Sequence, residues 1–154
     1  IADGAGAHPG TVRGAGATGG AFGDYLGVTV GLAADQQYGW PRNAPAPCVA
    51  DWDSVSYTST APHCLRRLDT NLTVADKTGE VHHDGEIWSH ALWDINKSLG
   101  RGKATKIILE AQFSYAANTS WAAAANTTVA TANALYGATD AAAVKAAFQA
   151  RGIL

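Results

Sequence analysis

Apolar side chains that recur every three to four residues constrain the fold of this chain more than any other feature of its sequence. Within residues 84–99, the large apolar side chains follow the i, i+4, i+7, i+11 spacing of one helix face, at Trp88, Leu92, Ile95 and Leu99. Gly100 comes directly afterwards, and glycine commonly terminates a helix. The segment is therefore predicted to be a helix whose apolar face lies in a core.

The same periodicity predicts four further helices, and no segment shows the sustained alternation typical of a β-strand. Their expected ranges are residues 20–33, 103–115, 120–136 with Gly137 as its terminator, and a last helix that begins with a cap at Thr139 or Asp140 and ends at Arg151. Residues 1–19, mostly Gly, Ala and polar, are expected to form a lead-in loop. The predicted fold class is mainly α, with residues 20–154 forming one lobe of about five helices.

Residues 36–80 form the longest stretch without helical periodicity, and they contain four of the five prolines. Cys48 and Cys64 lie in this loop, sixteen positions apart. A disulfide between them would stabilise the fold by about 3 kcal/mol and would persist only in an oxidising compartment, which favours a secreted protein. The alternatives are two buried free thiols of a cytosolic protein, or a zinc site, whose C-x-x-C spacing is absent.

Charge and hydropathy exclude two classes of partner. The 11 Lys and Arg residues are scattered along the chain, and the formal net charge is −2, so a nucleic acid is not an expected partner. No apolar run reaches the ~20 residues that span a bilayer, so a membrane is not expected either. The first ten residues lack the pattern of a signal peptide, and we expect the chain to begin within a longer protein.

The densest group of ionisable side chains lies in residues 80–86, Glu-Val-His-His-Asp-Gly-Glu, at the start of the predicted helix. One interpretation is a metal or acid–base site. The other is an ordinary helix N-terminus, in which Asp84 caps the helix, Glu86 complements its dipole and the histidines are solvated. A weak metal site of His83, Glu86 and His90 fits helical spacing, but it ranks below the solvated helix because no supporting residues are evident.

Four motifs, in order, resemble the thermolysin and fungalysin families of zinc metallopeptidases. Residues 19–30, GGAFGDYLGVTV, resemble the helix G-E-G-F-G-D-Y-L-A-V that carries the third zinc ligand. Residues 81–88, VHHDGEIW, are similar to V-H-x-x-G-E-[IV]-W, and residues 93–95 continue it as W-D-I. Residues 135–154 resemble the ending L-Y-G-x-T…V-x-x-A-F-x-x-x-G-[IV]. The resemblance covers residues 15–154 and implies the helical C-terminal lobe of such an enzyme.

The resemblance assigns roles to individual residues. It implies that His82 donates a hydrogen bond to the oxyanion of the tetrahedral intermediate, a contribution commonly worth about 3 kcal/mol. It implies that Asp24 accepts a hydrogen bond from a zinc-bound histidine and fixes its orientation. Arg66 and Arg67 match the region that assists substrate carbonyl binding, and Asp76 is a candidate to orient His82. The complete enzyme would hold zinc, cleave polypeptides and include a β-rich N-terminal lobe.

Two departures from the family pattern limit what this chain can do alone. No H-E-x-x-H occurs in the sequence, so two histidine ligands and the general base are absent. Gly20 stands where the family has its glutamate ligand, and glycine has no side chain to offer a metal. We therefore expect this chain to hold no zinc tightly and to be inactive alone. It is either the lobe of a metalloendopeptidase that needs a partner lobe or self-associates, or a non-catalytic pseudopeptidase domain for assembly or binding.

Overall fold

The computed structural model describes residues 9–56 and 58–154, with side chains in the first helix described from residue 16 onward. This part of the chain contains five α-helices: α1 Pro9–Tyr38, α2 Val81–Leu99, α3 Arg101–Gln112, α4 Trp121–Tyr136 and α5 Ala138–Ala150. Two strands of two residues each, β1 Cys48–Val49 and β2 Arg66–Arg67, pair antiparallel in the long loop. The predicted mainly α fold is confirmed. None of the described helices combines the length and apolarity needed to cross a membrane.

Helix α1 begins at Pro9, eleven residues before the predicted start, so the prediction of a loop is wrong for residues 9–19. Proline suits the first helical position because its fixed φ is helical and its missing N–H would have no partner there. The Gly- and Ala-rich sequence shows no clear periodicity, but Ala17 and Ala21 are buried in the core. Residues 1–8 of the predicted lead-in lie outside the described residues.

Helix α2 packs against α1, α3 and α5, and it carries the largest core side chains. Trp88, Leu92 and Ile95 are buried as the periodicity predicted, and Leu99 packs partly buried at the edge of the core. The Trp88 ring lies 4.9 Å from that of Phe148 and 6.0 Å from that of Trp121, centroid to centroid. These tilted aromatic contacts join α2 to the two C-terminal helices.

Two glycines with positive φ join consecutive helices, as their predicted role as terminators requires. Gly100 (φ 78°) separates α2 from α3, and Gly137 (φ 89°) separates α4 from α5. The predicted side-chain cap of α5 is wrong, because the helix begins at Ala138, with Gly137 in the cap position. Asp140 lies in the first turn instead and accepts a 2.7 Å ion-pair contact from Lys103 of α3. Helix α3 ends at Gln112, three residues before the predicted end.

The loop between α1 and α2 is fastened by the predicted disulfide. Cys48 and Cys64 are bonded, with their Cα atoms 5.2 Å apart. In the small sheet, Cys48 pairs with Arg67 and Val49 with Arg66. A second, smaller apolar cluster lies beneath this sheet and joins it to α1 and α2, through Val28, Val49, Leu68 and Trp93. The disulfide and this cluster together fix where β2 lies against the two helices.

Candidate active-site wall

The N-terminus of α2 presents His82. Glu80 is the N-cap of this helix, and its carboxylate accepts hydrogen bonds from the backbone N–H groups of His82 (3.0 Å) and His83 (2.7 Å). These bonds lower the pKa of the Glu80 carboxyl, because they stabilise its charged form. The helix therefore starts at Val81, and the His82 side chain lies exposed in its first turn.

The prediction that Asp84 caps this helix is wrong. Asp84 is buried, and its two carboxylate oxygens accept from the backbone N–H groups of Thr78 (2.9 Å) and Gly79 (3.1 Å). Burial acts to raise the pKa of Asp84, but these hydrogen bonds and that with His83 outweigh it, so the pKa is lowered. Asp84 thus connects the preceding loop to the helix. It does not cap the helix, because Glu80 already accepts from the first free N–H groups of α2.

Asp24 and Arg66 form a bidentate ion pair that connects α1 to β2. Arg66 Nε donates to Asp24 Oδ2 at 2.6 Å, and Arg66 Nη2 donates to Asp24 Oδ1 at 2.7 Å. The Asp24 side chain is only 10% exposed and that of Arg66 is 21% exposed. The hydrogen bonds to Asp24 raise the pKa of the Arg66 guanidinium above its ordinary value. The structure therefore brings together two predicted site residues that are 42 positions apart.

Glu86 lies one helical turn after His82, on the same side of α2. Burial raises the pKa of Glu86 above its ordinary value, against the opposing effect of the positive charges of His83 and Arg66. An open groove of about 390 Å³ is lined by Glu86, Arg66 and Arg67 together with residues of the disulfide loop. The sequence predicted only that Glu86 complements the helix dipole or binds a metal. Its place in a groove beside a strand that is distant in the sequence leaves no signal in local spacing.

Arg67 and Asp76, the other two predicted site residues, have local partners. Arg67 forms a bidentate ion pair with Asp69, with Nε to Oδ1 at 2.8 Å and Nη2 to Oδ2 at 2.9 Å. Asp76 Oδ2 accepts from the N–H (2.8 Å) and the hydroxyl (2.9 Å) of Thr73, which closes the short 3₁₀ turn Val74–Asp76. These contacts give no support to the prediction that Asp76 orients His82, because its carboxylate points back to its own turn.

The described residues of this chain do not form a site that fits a zinc ion. Within residues 9–56 and 58–154, no three His, Cys, Asp or Glu side chains converge as metal ligands, so the weak site of His83, Glu86 and His90 is wrong. His90 is buried, and its Nδ1 accepts instead from the backbone N–H of Asn71 at 3.2 Å. Gly20 lies exposed on α1, one turn before Asp24, and a Cβ built on it would meet no atom within 4 Å. The position has room for a longer side chain.

Comparison with protein-family models matches residues 13–153 to the Thermolysin metallopeptidase, alpha-helical domain. The chain belongs to this family. Comparison with curated proteins and with solved structures found no match. Membership in the thermolysin family confirms the resemblance in the four motifs and implies a zinc ion in the complete enzyme. It is consistent with a neighbouring N-terminal domain, since the matched model is that of the helical domain of a peptidase.

The thermolysin-family match covers β2, α2 and α1 from residue 13 onward, the elements that carry Asp24, Arg66, Arg67 and His82. Of these residues, Asp24 and Arg66 contact each other. The side chains of Arg67 and Asp76 are committed to Asp69 and Thr73. The candidate site therefore lies on two helices and a short strand.

Proposed function

We propose that this chain is the helical C-terminal lobe of a secreted zinc metalloendopeptidase, in which it supplies one wall of the substrate cleft. In the complete enzyme, His82 donates a hydrogen bond to the oxyanion that forms at the scissile carbonyl. Arg66, oriented by Asp24, faces the substrate backbone. A zinc ion in the complete enzyme would supply a polarised water as nucleophile, and histidines of an H-E-x-x-H motif outside this chain would hold the ion.

The bidentate contact between Asp24 and Arg66 is the observation that carries this proposal. Both residues were predicted to belong to the site from motifs in different parts of the sequence, and the pair is largely removed from solvent. A charged pair with this geometry holds a guanidinium in one orientation, as recognition of a peptide carbonyl requires. The exposed His82 on the adjacent helix leaves its imidazole accessible to a substrate.

Secretion is supported by the bond between Cys48 and Cys64, since such bonds persist in oxidising compartments. The partner that completes the cleft is an N-terminal lobe carrying H-E-x-x-H. Self-association of this chain is the alternative way to cover the same wall. Polypeptides are the expected substrate class, because the matched family is one of peptidases; the groove beside Arg66 is open to solvent.

A second candidate function, a non-catalytic pseudopeptidase domain, is favoured by Gly20. A complete protein with glycine at this position has one zinc ligand fewer than the family pattern, even when H-E-x-x-H is present. Such a domain would keep the Asp24–Arg66 pair for stability and use the cleft for assembly or binding.

The two functions are distinguished by assaying the complete protein with a quenched fluorescent peptide and measuring its zinc content. If it is a peptidase, the parent protein hydrolyses the peptide, and His82→Ala lowers kcat by about 10²–10³ with little change in KM, as for loss of an oxyanion donor. His83→Ala is the matched control, because the neighbouring imidazole is not assigned to the oxyanion, and it should retain most of the activity.

Gly20→Glu tests the missing ligand, since the open space at Gly20 admits the longer side chain. A parent protein that has no activity and gains both zinc and hydrolysis in Gly20→Glu would establish the pseudopeptidase. An active parent protein that is indifferent to His82→Ala would contradict the proposed role of His82.

A further inference from the structure

The residues that follow α5 lie against the loop that leads into α2. Helix α5 ends in a Schellman motif, in which the Gly152 N–H donates to the Gln149 carbonyl at 2.9 Å. In the same motif the Ile153 N–H donates to the Phe148 carbonyl at 3.0 Å. Gly152 has φ 69°, as the motif requires, and Ile153 is buried. The motif leaves the carbonyl of Arg151 free to accept from outside the helix.

Arg151 contacts the loop with its backbone and α2 with its side chain. Its carbonyl oxygen accepts from the Val74 N–H at 2.9 Å, at the start of the 3₁₀ turn Val74–Asp76. Its guanidinium is largely buried, with Nη1 donating to His90 Nδ1 at 3.1 Å and Nη2 lying 3.9 Å from Asp94 Oδ2. Its Nε is buried without a hydrogen-bond partner among the described residues, so the placement of the guanidinium depends on the contacts with α2.

His90 holds the other end of the same short segment of the loop. Its Nδ1 also accepts from the backbone N–H of Asn71 at 3.2 Å, and Asn71 has φ 58°, a left-handed conformation that is uncommon outside glycine. Residues 71–74 are therefore attached at one end to His90 and at the other to Arg151, and these two residues are in contact. Because a guanidinium and a backbone N–H can only donate, both contacts require that Nδ1 carries no proton.

We propose that His90 and Arg151 form a latch on residues 71–74, which a proton on His90 Nδ1 opens. The proton comes from solvent, occupies the lone pair that accepts from Asn71 and Arg151, and places a second positive charge beside the guanidinium. Both donors then lose their acceptor. The Val74 contact weakens with them, because it depends on the placement of Arg151.

The latch lies on the chain that enters α2. Residues 71–74 continue through the turn Val74–Asp76 to Glu80, the cap of the first helical turn, which contains His82. An open latch therefore frees the segment that leads to this helix. Its consequence for a substrate rests on the proposed peptidase function, whereas the latch itself is a property of this chain and can be tested without any activity.

The charged groups that face His90 come from three parts of the chain: Asp94 and Lys97 on α2, Asp69 in the loop after β2, and Arg151 after α5. The pKa of His90 is lowered, first by burial and further by Arg151 and Lys97, against the opposing effect of Asp94 and Asp69. The latch is therefore closed above about pH 6.5, the ordinary pKa of histidine, and opens below this value as the pH falls through the lowered pKa.

The experiment measures amide hydrogen exchange by NMR of the ¹⁵N-labelled 154-residue chain between pH 4 and 8, corrected for the intrinsic exchange rate at each pH. The reporters are the N–H groups of Asn71 and Val74, and their protection is divided by that of Ile95, a core residue of α2 that follows global unfolding. This relative protection should fall by about tenfold as the latch opens, the effect of losing a hydrogen bond to a charged group. The midpoint should coincide with that of the His90 ring in a ¹H NMR titration.

Arg151→Ala should lower the relative protection of Val74 by about tenfold at pH 7.5, whereas Arg151→Lys should retain part of it, because an ammonium can also donate to Nδ1. His90→Gln keeps a hydrogen-bond acceptor that takes up no proton, so the protection of both reporters should no longer depend on pH. Arg101→Ala is the matched control, since Arg101 is an exposed arginine on α3, and it should leave both reporters unchanged.

The proposal is overturned if both reporters keep their protection down to pH 4, if its fall persists in His90→Gln, or if folded Arg151→Ala protects Val74 as the parent chain does. If a variant does not fold by circular dichroism, the midpoints in the parent chain decide alone: coincident reporter and ring midpoints support the latch, and separate midpoints contradict it. A complete protein without peptidase activity would contradict the proposed function and leave these results intact.

Discussion

At the residue scale, His90 shows how a buried ionisable side chain on α2 is satisfied by partners from three segments. Its Nδ1 accepts from the backbone N–H of Asn71 and from Arg151 Nη1 at 3.1 Å, while its Nε2 lies 3.5 Å from Asp94 Oδ1 on the next helical turn. An Nδ1 that accepts hydrogen bonds requires the neutral imidazole with its proton on Nε2. The histidine is therefore built into the fold in its uncharged form.

The pKa of His90 is lowered, first by burial and further by the positive charges of Arg151 and Lys97, against the opposing effect of Asp94. The unfolded chain then binds a proton at a higher pH than the folded chain does. Stability is full above about pH 6.5, the ordinary pKa of histidine, and falls as the pH decreases through 6.5 toward the folded pKa. Urea unfolding should show a slope of at most about 1.4 kcal/mol per pH unit in this window.

In His90→Gln this part of the pH dependence should disappear, although the variant is less stable throughout. The ¹H NMR titration of the His90 ring provides the independent measurement. A midpoint at or above 6.5 would show that its partners stabilise the charged form, contrary to the geometry.

At the scale of elements, α1 is a long helix that carries several exposed glycines. A Cβ built on Gly19, Gly20, Gly23 or Gly27 would meet no atom within 4 Å. Glycine in a helix interior costs roughly 0.5–1 kcal/mol relative to alanine, because its backbone loses more freedom on folding. The stability of this helix therefore comes from the packing of its buried face, which includes Ala17, Ala21 and Tyr25.

Gly27→Ala should raise the free energy of unfolding by about 0.5–1 kcal/mol, since the added methyl group meets open space and alanine favours the helix. Gly100→Ala should lower it by about 1–3 kcal/mol, because φ 78° with ψ 153° is a conformation that is essentially limited to glycine. Denaturant unfolding of the two variants and the parent chain gives both values. Equal effects of the two substitutions would contradict the geometry of the α2–α3 junction.

At the scale of the whole molecule, the chain has a main core among its helices and a smaller one under the disulfide loop. The smaller cluster contains only Val28, Val49, Leu68 and Trp93 as buried members. The loop above it has two very short strands and two single 3₁₀ turns as regular structure in its described part. The disulfide between Cys48 and Cys64 therefore restricts much of the conformational freedom of the segment that includes Arg66.

Reducing this disulfide should lower the free energy of unfolding by about 3 kcal/mol, the chain-entropy value for a loop of this length, and should leave the helical circular dichroism signal intact. Trypsin should then cleave faster at Arg66 and Arg67, while the helices stay resistant. The double variant Cys48→Ser, Cys64→Ser is the control, because reductant should not change it further. Identical unfolding of the oxidised and reduced chains would mean that the small core alone orders the loop.

Local patterns in the sequence were sufficient for most of the helical architecture. The spacing of Trp88, Leu92 and Ile95 identified the face of α2 that is buried, and Gly100 and Gly137 marked the junctions between helices. These features are encoded by neighbouring residues, so periodicity and backbone preference suffice to find them. The four family motifs are local in the same sense, and they identified His82, Asp24 and the departure at Gly20.

The tertiary structure alone decided the start of α1 and the contacts of the site. The first turns of α1 are rich in Gly and Ala, which give no periodic signal, and α2 approaches them so closely that a Cβ on Gly85 would lie 3.2 Å from the Ala17 carbonyl oxygen. The pairing of Arg66 with Asp24 and the contact of His90 with Arg151 join residues far apart in the sequence. A half-buried charge is satisfied by whichever partner the packed elements bring to it, and residue spacing does not encode that choice.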